Sequence, residues 1–433
     1  MLTLQTNSRH TNCEGTSRRD FIRIGALGMG ALTLPDLLRA RAASTVAGSS
    51  SKNTSVIWVW LSGGPTHVET FDPKMDAPVE YRSMTGSVKT KIPGLELGGS
   101  FSQMAEIAEK FAFVRSFAHK NSSHGGGTHW VMTGYNSASA GNGGSSTRPG
   151  LGSIAARHRG ISAPTGLPTY VRLNNIGFDG PAWLGKTYAP FDVSGNARKN
   201  MVLQVQNELL DDRKDLLKGF DTISREIDKS GMMNGLDSFE TQAIDLIAGK
   251  AKEVFDIKNE DAKTLARYGK GLGEQLLMAR RLVEAGTGFV TVNYGGWDMH
   301  GKLENGLKTR GVALDNAVSA LVSDLAQRGM QDNVLVVVTG EFGRTPRINK
   351  NAGRDHWAPL STLALAGGGL KMGQAVGEST AKAEVPKSKP ITPQDLMATV
   401  FHVLGIPQDQ HFTDQSGRPI PMISEGKPIS ELV

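Results

Sequence analysis

The run Val334 to Val338 (VLVVV) constrains this chain more than any other stretch. Its five consecutive apolar residues, four of them β-branched, show neither a helical stripe nor strand alternation. They read as a strand buried on both faces, the signature of a parallel sheet covered by helices on each side. The run stops at Thr339-Gly340, and Glu341, Arg344, Asp355 and His356 follow within one short segment. Open α/β sheets present ligand sites at the carboxyl ends of such strands. A polar loop is the ordinary sequel to a strand, but a carboxylate, an arginine and a histidine arriving together favour a site.

The pattern recurs along the chain. Val56 to Leu61 (VIWVWL) is a strand broken by Ser62-Gly63-Gly64-Pro65, and the loop after it carries His67, Glu69 and Asp72. Residues 74–100 read as loop and hairpin, Ser102 to Lys110 as helix, and Phe113 to Phe117 as a second strand. That strand leads into His119, Lys120, Ser122, Ser123, His124, Gly125 to Gly127, Thr128 and His129, with Trp130 to Thr133 helical. Leu167 to Leu173 is a third strand. Residues 201–285 show helical spacing with long charged stretches, so they read as a helical insertion whose last helix stops at Gly286. Phe289 to Asn293 is a strand ending in Gly295-Gly296-Trp297-Asp298-Met299-His300. A helix from Leu307 to Arg328 leads back to the opening strand, and a further strand, Leu360 to Leu365, follows it. Thr392 caps a helix to Leu404 with Pro393 at its first position. The tail, Pro407 to Val433, is irregular. Strands alternating with helices indicate a doubly wound, mostly parallel α/β sheet, and 433 residues bury a core large enough for one.

Residues 1–43 read as an export signal. Ser17-Arg18-Arg19-Asp20-Phe21-Ile22 matches the twin-arginine pattern, an address read by the twin-arginine export machinery. A weakly apolar run from Ile22 to Leu34 and the small-x-small site Ala40-Arg41-Ala42 follow it. The run is too short for a transmembrane segment, which takes ~20 residues, and no later stretch does better. The expected location is therefore periplasmic or secreted. Residues 44–54 are a Ser-rich linker, and residues 55–433 form the folded domain. The single cysteine, Cys13, lies inside the signal, so no disulfide holds the mature chain, which fits folding before export. Six arginines against three acids in residues 1–43 supply half of the net charge of +6. The remaining +3 is too small and scattered to argue for nucleic acid.

His67, His124, His129, His300 and His356 all follow strands in polar, Gly-rich surroundings, whereas His158 and His402 sit on helical patterns and read as structural. Any one of the five is as readily a hydrogen-bonded loop residue. Together with Asp72, Asp298, Glu341 and Asp355 they form a nitrogen and oxygen donor set that suits Zn, Mn or Fe, and without thiols it is no Cys-based zinc site. The spacing Asp298-x-His300 points both side chains the same way from an extended segment. Ser122, Ser123 and Thr128 precede a short helix, whose N-terminal N–H groups would stabilise an anion or a tetrahedral oxyanion. Arg344 and Lys120 are candidates to clamp an oxyanion. Trp297 and Trp357, each beside a candidate ligand, are candidates for the site entrance. Neither a P-loop lysine nor a G-x-S-x-G elbow is present, which lowers the nucleotide and esterase readings.

The segments SGGPTHVETFDPK, SHGGGTHWVMTG, ARRLVEAG, GGWDMH, GEFGRTP and GRDHW, in this order, resemble an uncharacterised family of Tat-exported bacterial proteins. That family is a domain of unknown function within the alkaline phosphatase/sulfatase superfamily, and the resemblance covers essentially the whole mature chain. It implies an alkaline phosphatase-like sheet with metal at the strand carboxyl ends and a nucleophile at a helix start. By motif order, Asp298, His300 and His356 would match one metal's ligands and Glu341 the carboxylate of a second. The segment from Ser122 to Thr128 would carry the nucleophile. The chain departs from the pattern in three places. Phe342 stands where relatives place a ligand. Ser62-Gly63 replaces a carboxylate, unless His67 or Asp72 substitutes. His124 falls near the nucleophile position. A one-metal or rearranged site is therefore expected. The resulting expectation is an exported hydrolase of a sulfate or phosphate ester, with a small molecule or glycan as carrier and a divalent metal (Zn, Mn, Ca or Mg). Its metal ligands would be Asp298, His300, Glu341, His356, His67 and Asp72. Arg344, Thr128 and the acid–base pair His124 or His129 would carry catalysis. The rival is a non-catalytic envelope protein that binds a glycan or a protein partner.

Overall fold

A computed structural model of the chain describes residues 54–137, 141, 146–193 and 251–433. The segments read as signal and linker up to residue 53, and residues 201–250 of the stretch read as a helical insertion, lie outside these.

Eight strands form the central sheet: β1 (Ser55–Trp60), β2 (Phe111–Val114), β3 (Tyr170–Leu173), β4 (Phe191–Asp192), β5 (Phe289–Asn293), β6 (Val334–Thr339), β7 (Leu363–Gly367) and β8 (Gln374–Val376). Their spatial order is β8-β2-β7-β6-β1-β5-β3-β4. All run parallel except β7, which pairs antiparallel with both β2 and β6. The mostly parallel, doubly wound α/β architecture read from the alternation is the one observed. Strand limits moved by two or three residues at β2, β3 and β7. At β2 the chain leaves the sheet at Arg115, whose guanidinium turns aside to the carbonyls of Phe71 and Glu96.

Alternate residues of each strand feed two cores. Ile57, Val59, Val290, Val292, Val336 and Val338 face a layer containing α3 (Leu272–Glu284) and α4 (Leu303–Gln327). Val56, Trp58, Phe289, Leu335 and Val337 face the other layer, with α1 (His124–Thr133), α2 (Leu151–Arg159) and α5 (Pro393–Leu404). A sheet buried on both faces needs apolar residues at every position, which is why VLVVV and VIWVWL carry no alternation. Thr392 and Asp395 close a reciprocal cap at the start of α5. No helix among the described residues is long and apolar enough to cross a membrane.

Helix α1 begins six residues before Trp130, where periodicity placed it, and takes in the whole Gly125–Gly127 run. Glycine is a poor helix former, at about 1 kcal/mol below alanine, so packing must favour it here. A Cβ on Gly127 would lie 2.8 Å from the Glu341 carbonyl oxygen, and one on Gly126 would lie 2.2 Å from the Asn121 side chain. The glycines let the start of α1 press against the turn after β6.

Candidate metal centre

Trp60, Asn293 and Thr339 lie in register, so β1, β5 and β6 end level with one another. The segments that leave these ends meet at once. Trp297 N–H bonds to the Ser62 carbonyl at 3.0 Å. At Gly63 (φ +112°) a Cβ would come within 2.3 Å of the Asp298 nitrogen, so only glycine lets the β1 loop run beneath Asp298. From β6 the chain delivers Glu341 and Phe342, then a two-residue antiparallel ribbon that sets Arg344 opposite His356. Helix α1 contributes His124 from its first position, with Ser123 as N-cap.

Three imidazoles converge on one carboxylate. His300 Nε2 is 3.0 Å and His356 Nε2 3.2 Å from Asp298 Oδ1, and His124 Nε2 is 3.3 Å from Oδ2. The two Nε2 atoms of His300 and His356 are 3.1 Å apart. The far nitrogen of each ring meets an oxygen: Asp355 Oδ1 at 2.6 Å for His300, the Ser122 carbonyl at 3.0 Å for His356, and Glu341 Oε1 at 2.7 Å for His124. A carbonyl or carboxylate oxygen accepts only, so each Nδ1 carries a proton, and a ring with that one proton turns an Nε2 lone pair inward. Facing the Asp298 carboxylate, the Nε2 edges need positive charge among them, from a cation or from a second proton.

A divalent cation fits that requirement. The donor atoms of His124, Asp298 and His356 all lie within 4.8 Å of one another. Tetrahedral bonds of ~2.0 Å place ligand atoms about 3.3 Å apart, close to the separations just given. Outer oxygens that fix the tautomer of each ring are the usual support of metal-bound histidine. Glu341 adds charge from behind. Its Oε1 also accepts the Gly63 N–H at 2.7 Å, while Oε2 is buried without a partner among the described residues.

The electrostatics favour a charged Asp298 and a neutral His356, and they favour the protonated form of His124 in the absence of a cation. Burial pushes the Asp298 carboxyl up, but the Arg344 hydrogen bond and charge, with His356 and His124, outweigh it and hold the group at about 2. The Glu341 hydrogen bond raises His124 against the opposing effect of burial. Burial lowers His356, with Asp298 pulling the other way. The hydrogen bond from His300 holds Asp355 below the usual carboxylate range.

Several expected roles change. Arg344 is buried and faces protein acceptors. Its Nε bonds to the Gly64 carbonyl at 2.8 Å, its Nη1 to the Arg354 carbonyl at 3.1 Å, and its Nη2 to the Gly63 carbonyl and Asp298 Oδ1. It therefore orients Asp298 and is not presented to an oxyanion. Glu341 supports His124, and neither of its oxygens joins the convergent donors. His67 and Asp72 lie elsewhere, because the short helix His67–Thr70 turns them toward residues 379–383. His67 Nε2 meets the Ala383 carbonyl at 3.0 Å, while Asp72 pairs with Ser379 and with Lys74 at 3.2 Å. His129 is five residues past His124, about 140° around the helix, and its nitrogens meet the Tyr135 carbonyl at 2.7 Å and Thr147 at 3.0 Å. Thr128, one turn beyond His124, is buried. Trp297 is 1% exposed, so it lines no entrance. Trp357 is half-buried with its N–H on the Glu384 carbonyl. The sequence reading missed His119 and Asn349, the support of Asp355, as well as two main-chain groups, the Gly63 N–H and the Ser122 carbonyl. His119 stood in a noted cluster, but main-chain partners leave no mark on side-chain chemistry.

Comparison with the curated proteins gave no match. Solved structures similar to this chain include Ps i-CgsB in complex with k-i-k-neocarrahexaose, at 11% identity and TM-score 0.41, over 82% of this chain and 72% of that one. PsFucS1 sulfatase from Pseudoalteromonas sp. is similar at 10% identity and TM-score 0.40, over 85% and 70% of the two chains. The alkaline phosphatase from the Antarctic bacterium TAB5 is similar at 10% and 0.37, over 82% and 98%. Residues 53–433, all of the chain that carries the sheet and the histidine cluster, match one family throughout, and the chain belongs to it: the family described as protein of unknown function, DUF1501.

Proposed function

We propose that this protein is an exported, metal-dependent hydrolase of a sulfate or phosphate ester. One observation carries the reading: three imidazoles, each fixed through Nδ1, aim Nε2 at the single carboxylate of Asp298. A bound divalent cation would supply Lewis acidity toward the ester oxygens and a lowered pKa for water. His124, Asp298 and His356 would hold it, with His300 at the exposed side. Arg344 fixes the Asp298 rotamer, and Asp355, Glu341 and the Ser122 carbonyl fix the rings. Water is the nucleophile this arrangement favours. The Ser122 hydroxyl accepts the Ala358 N–H at 3.0 Å, and the Ser123 hydroxyl caps the Gly126 N–H at 3.2 Å. The likeness of the sequence segments to the alkaline phosphatase/sulfatase superfamily supports the ester class, and a glycan carrier belongs to the same proposal. Export rests on the Arg18-Arg19 segment.

The test is metal analysis of the purified protein together with turnover of aryl sulfate and aryl phosphate. Stoichiometric metal that disappears in Asp298→Ala and His356→Ala along with turnover supports the hydrolase, and a folded, metal-free protein refutes it. The second reading, a non-catalytic envelope protein binding a glycan or protein, is favoured by Arg344, whose guanidinium nitrogens are all engaged by protein acceptors. Bound metal without turnover of either ester class would select it.

A further inference from the structure

We infer that His119 is a positioning residue of this centre, acting on His124 through Glu341. The inference rests on the metal reading above. His119 lies on the segment between β2 and α1 and is 6% exposed. Its N–H bonds to the Ala358 carbonyl at 3.0 Å, which ties it to the segment just past His356. Its ring Nδ1 accepts the Asn121 N–H at 3.2 Å. A neutral imidazole has one proton, so that proton sits on Nε2 and is donated to the Glu341 carbonyl, 2.6 Å away. Burial holds the ring neutral by lowering its pKa to about 4, which keeps this donor in place at neutral pH.

The Glu341 carbonyl is boxed in. Gly127 of α1 approaches it so closely that a Cβ there would lie 2.8 Å from the oxygen. The same residue's carboxylate reaches Gly63 N–H and His124 Nδ1, each at 2.7 Å. Displacing the main chain at Glu341 would carry that carboxylate away from both. His119 thus governs a metal-facing imidazole without touching any convergent donor. A buried carbonyl deprived of its donor is destabilised, which favours a shift of this main chain toward another partner.

The full chain is titrated calorimetrically with Zn²⁺ alone, comparing wild type, His119→Phe, His119→Gln and His119→Asn. The proton of His124 is followed by ¹⁵N NMR of the ring, and thermal unfolding of each protein is recorded without metal. His119→Phe should bind Zn²⁺ about 10–100-fold more weakly, the usual cost of losing an outer partner. His119→Gln, whose amide N–H matches Nε2 in reach, should bind like wild type. His119→Asn, too short to reach the carbonyl, should bind weakly, and it replaces the Phe variant if that one does not fold. Unchanged Zn²⁺ affinity and an unchanged His124 proton in a folded Phe or Asn variant overturn the inference. Absence of Zn²⁺ binding by wild type would refute the metal reading instead. The NMR comparison would then decide the role of His119: a His124 proton displaced from Nδ1 by the Phe or Asn variant supports it, and one left in place overturns it.

Discussion

Asp298 ties the candidate centre together. It meets His124, His300, His356 and Arg344 through two oxygens. Asp298→Asn keeps the shape but removes the charge and leaves Arg344, 1% exposed, without its counter-ion. The expected result is loss of stoichiometric metal by mass spectrometry and a lower Tm, since uncompensated buried charge is among the more costly defects. Asp298, His300 and His356 were legible in the sequence because several ligand-type side chains gather in short segments that follow buried strands. The role of Arg344 was not. Whether a guanidinium meets substrate or main-chain carbonyls depends on the path of Gly63 and Gly64, and that path is set by three separate segments. Arg344→Lys tests the assignment. A lysine cannot serve the carbonyls of Gly63, Gly64 and Arg354 together, so Tm should fall even though the charge is kept.

At the scale of elements, α1 and the loop before His356 show why periodicity alone falls short. A run of three glycines has no apolar face, and its helical state is imposed by contact with Glu341 and Asn121. Gly127→Ala reads this directly. On an exposed helix the change would stabilise by about 1 kcal/mol, whereas here the new methyl meets the Glu341 carbonyl, so Tm and Zn²⁺ affinity should both fall. The loop carrying Asp355 and His356 is pinned by a salt bridge buried at both ends, Arg354 Nη2 to Glu69 Oε1 at 3.1 Å. Glu69 also accepts the Met84 N–H and the Ser83 hydroxyl. Glu69→Ala should cost about 3–5 kcal/mol of stability in denaturant titration, because it strands the Arg354 charge. The sequence showed Glu69 as one more titratable group in a loop, and only the fold reveals its partner, 285 residues away.

The whole molecule carries a pH dependence of its own. His67 and His119 are buried neutral, each lowered from 6.5 to about 4, chiefly by burial. Between those values the unfolded chain binds more protons than the folded one. Stability should therefore fall as pH drops from 6.5 to 4, then level off as far as these two groups are concerned. Each shift corresponds to about 3 kcal/mol, so a Tm series across that range should slope steeply, and less so in His67→Gln. The sheet and the edge bearing the site were legible from alternation and strand ends. The reversed direction of β7 was not, since a short apolar run reads the same either way.

That reversal has a consequence for how the site is carried. Leu363 of β7 pairs with Thr339 of β6, so residues 340–362 leave and re-enter the sheet at the same edge, and the chain makes no crossing between them. Glu341, Arg344, Asp355 and His356 therefore ride on one excursion whose two anchor points are neighbours. Outside its buried residues, such an excursion can change composition while every strand keeps its partner. The exposed turn at residues 350–352 is the part of this excursion free to vary, and sequence differences among related chains should concentrate there.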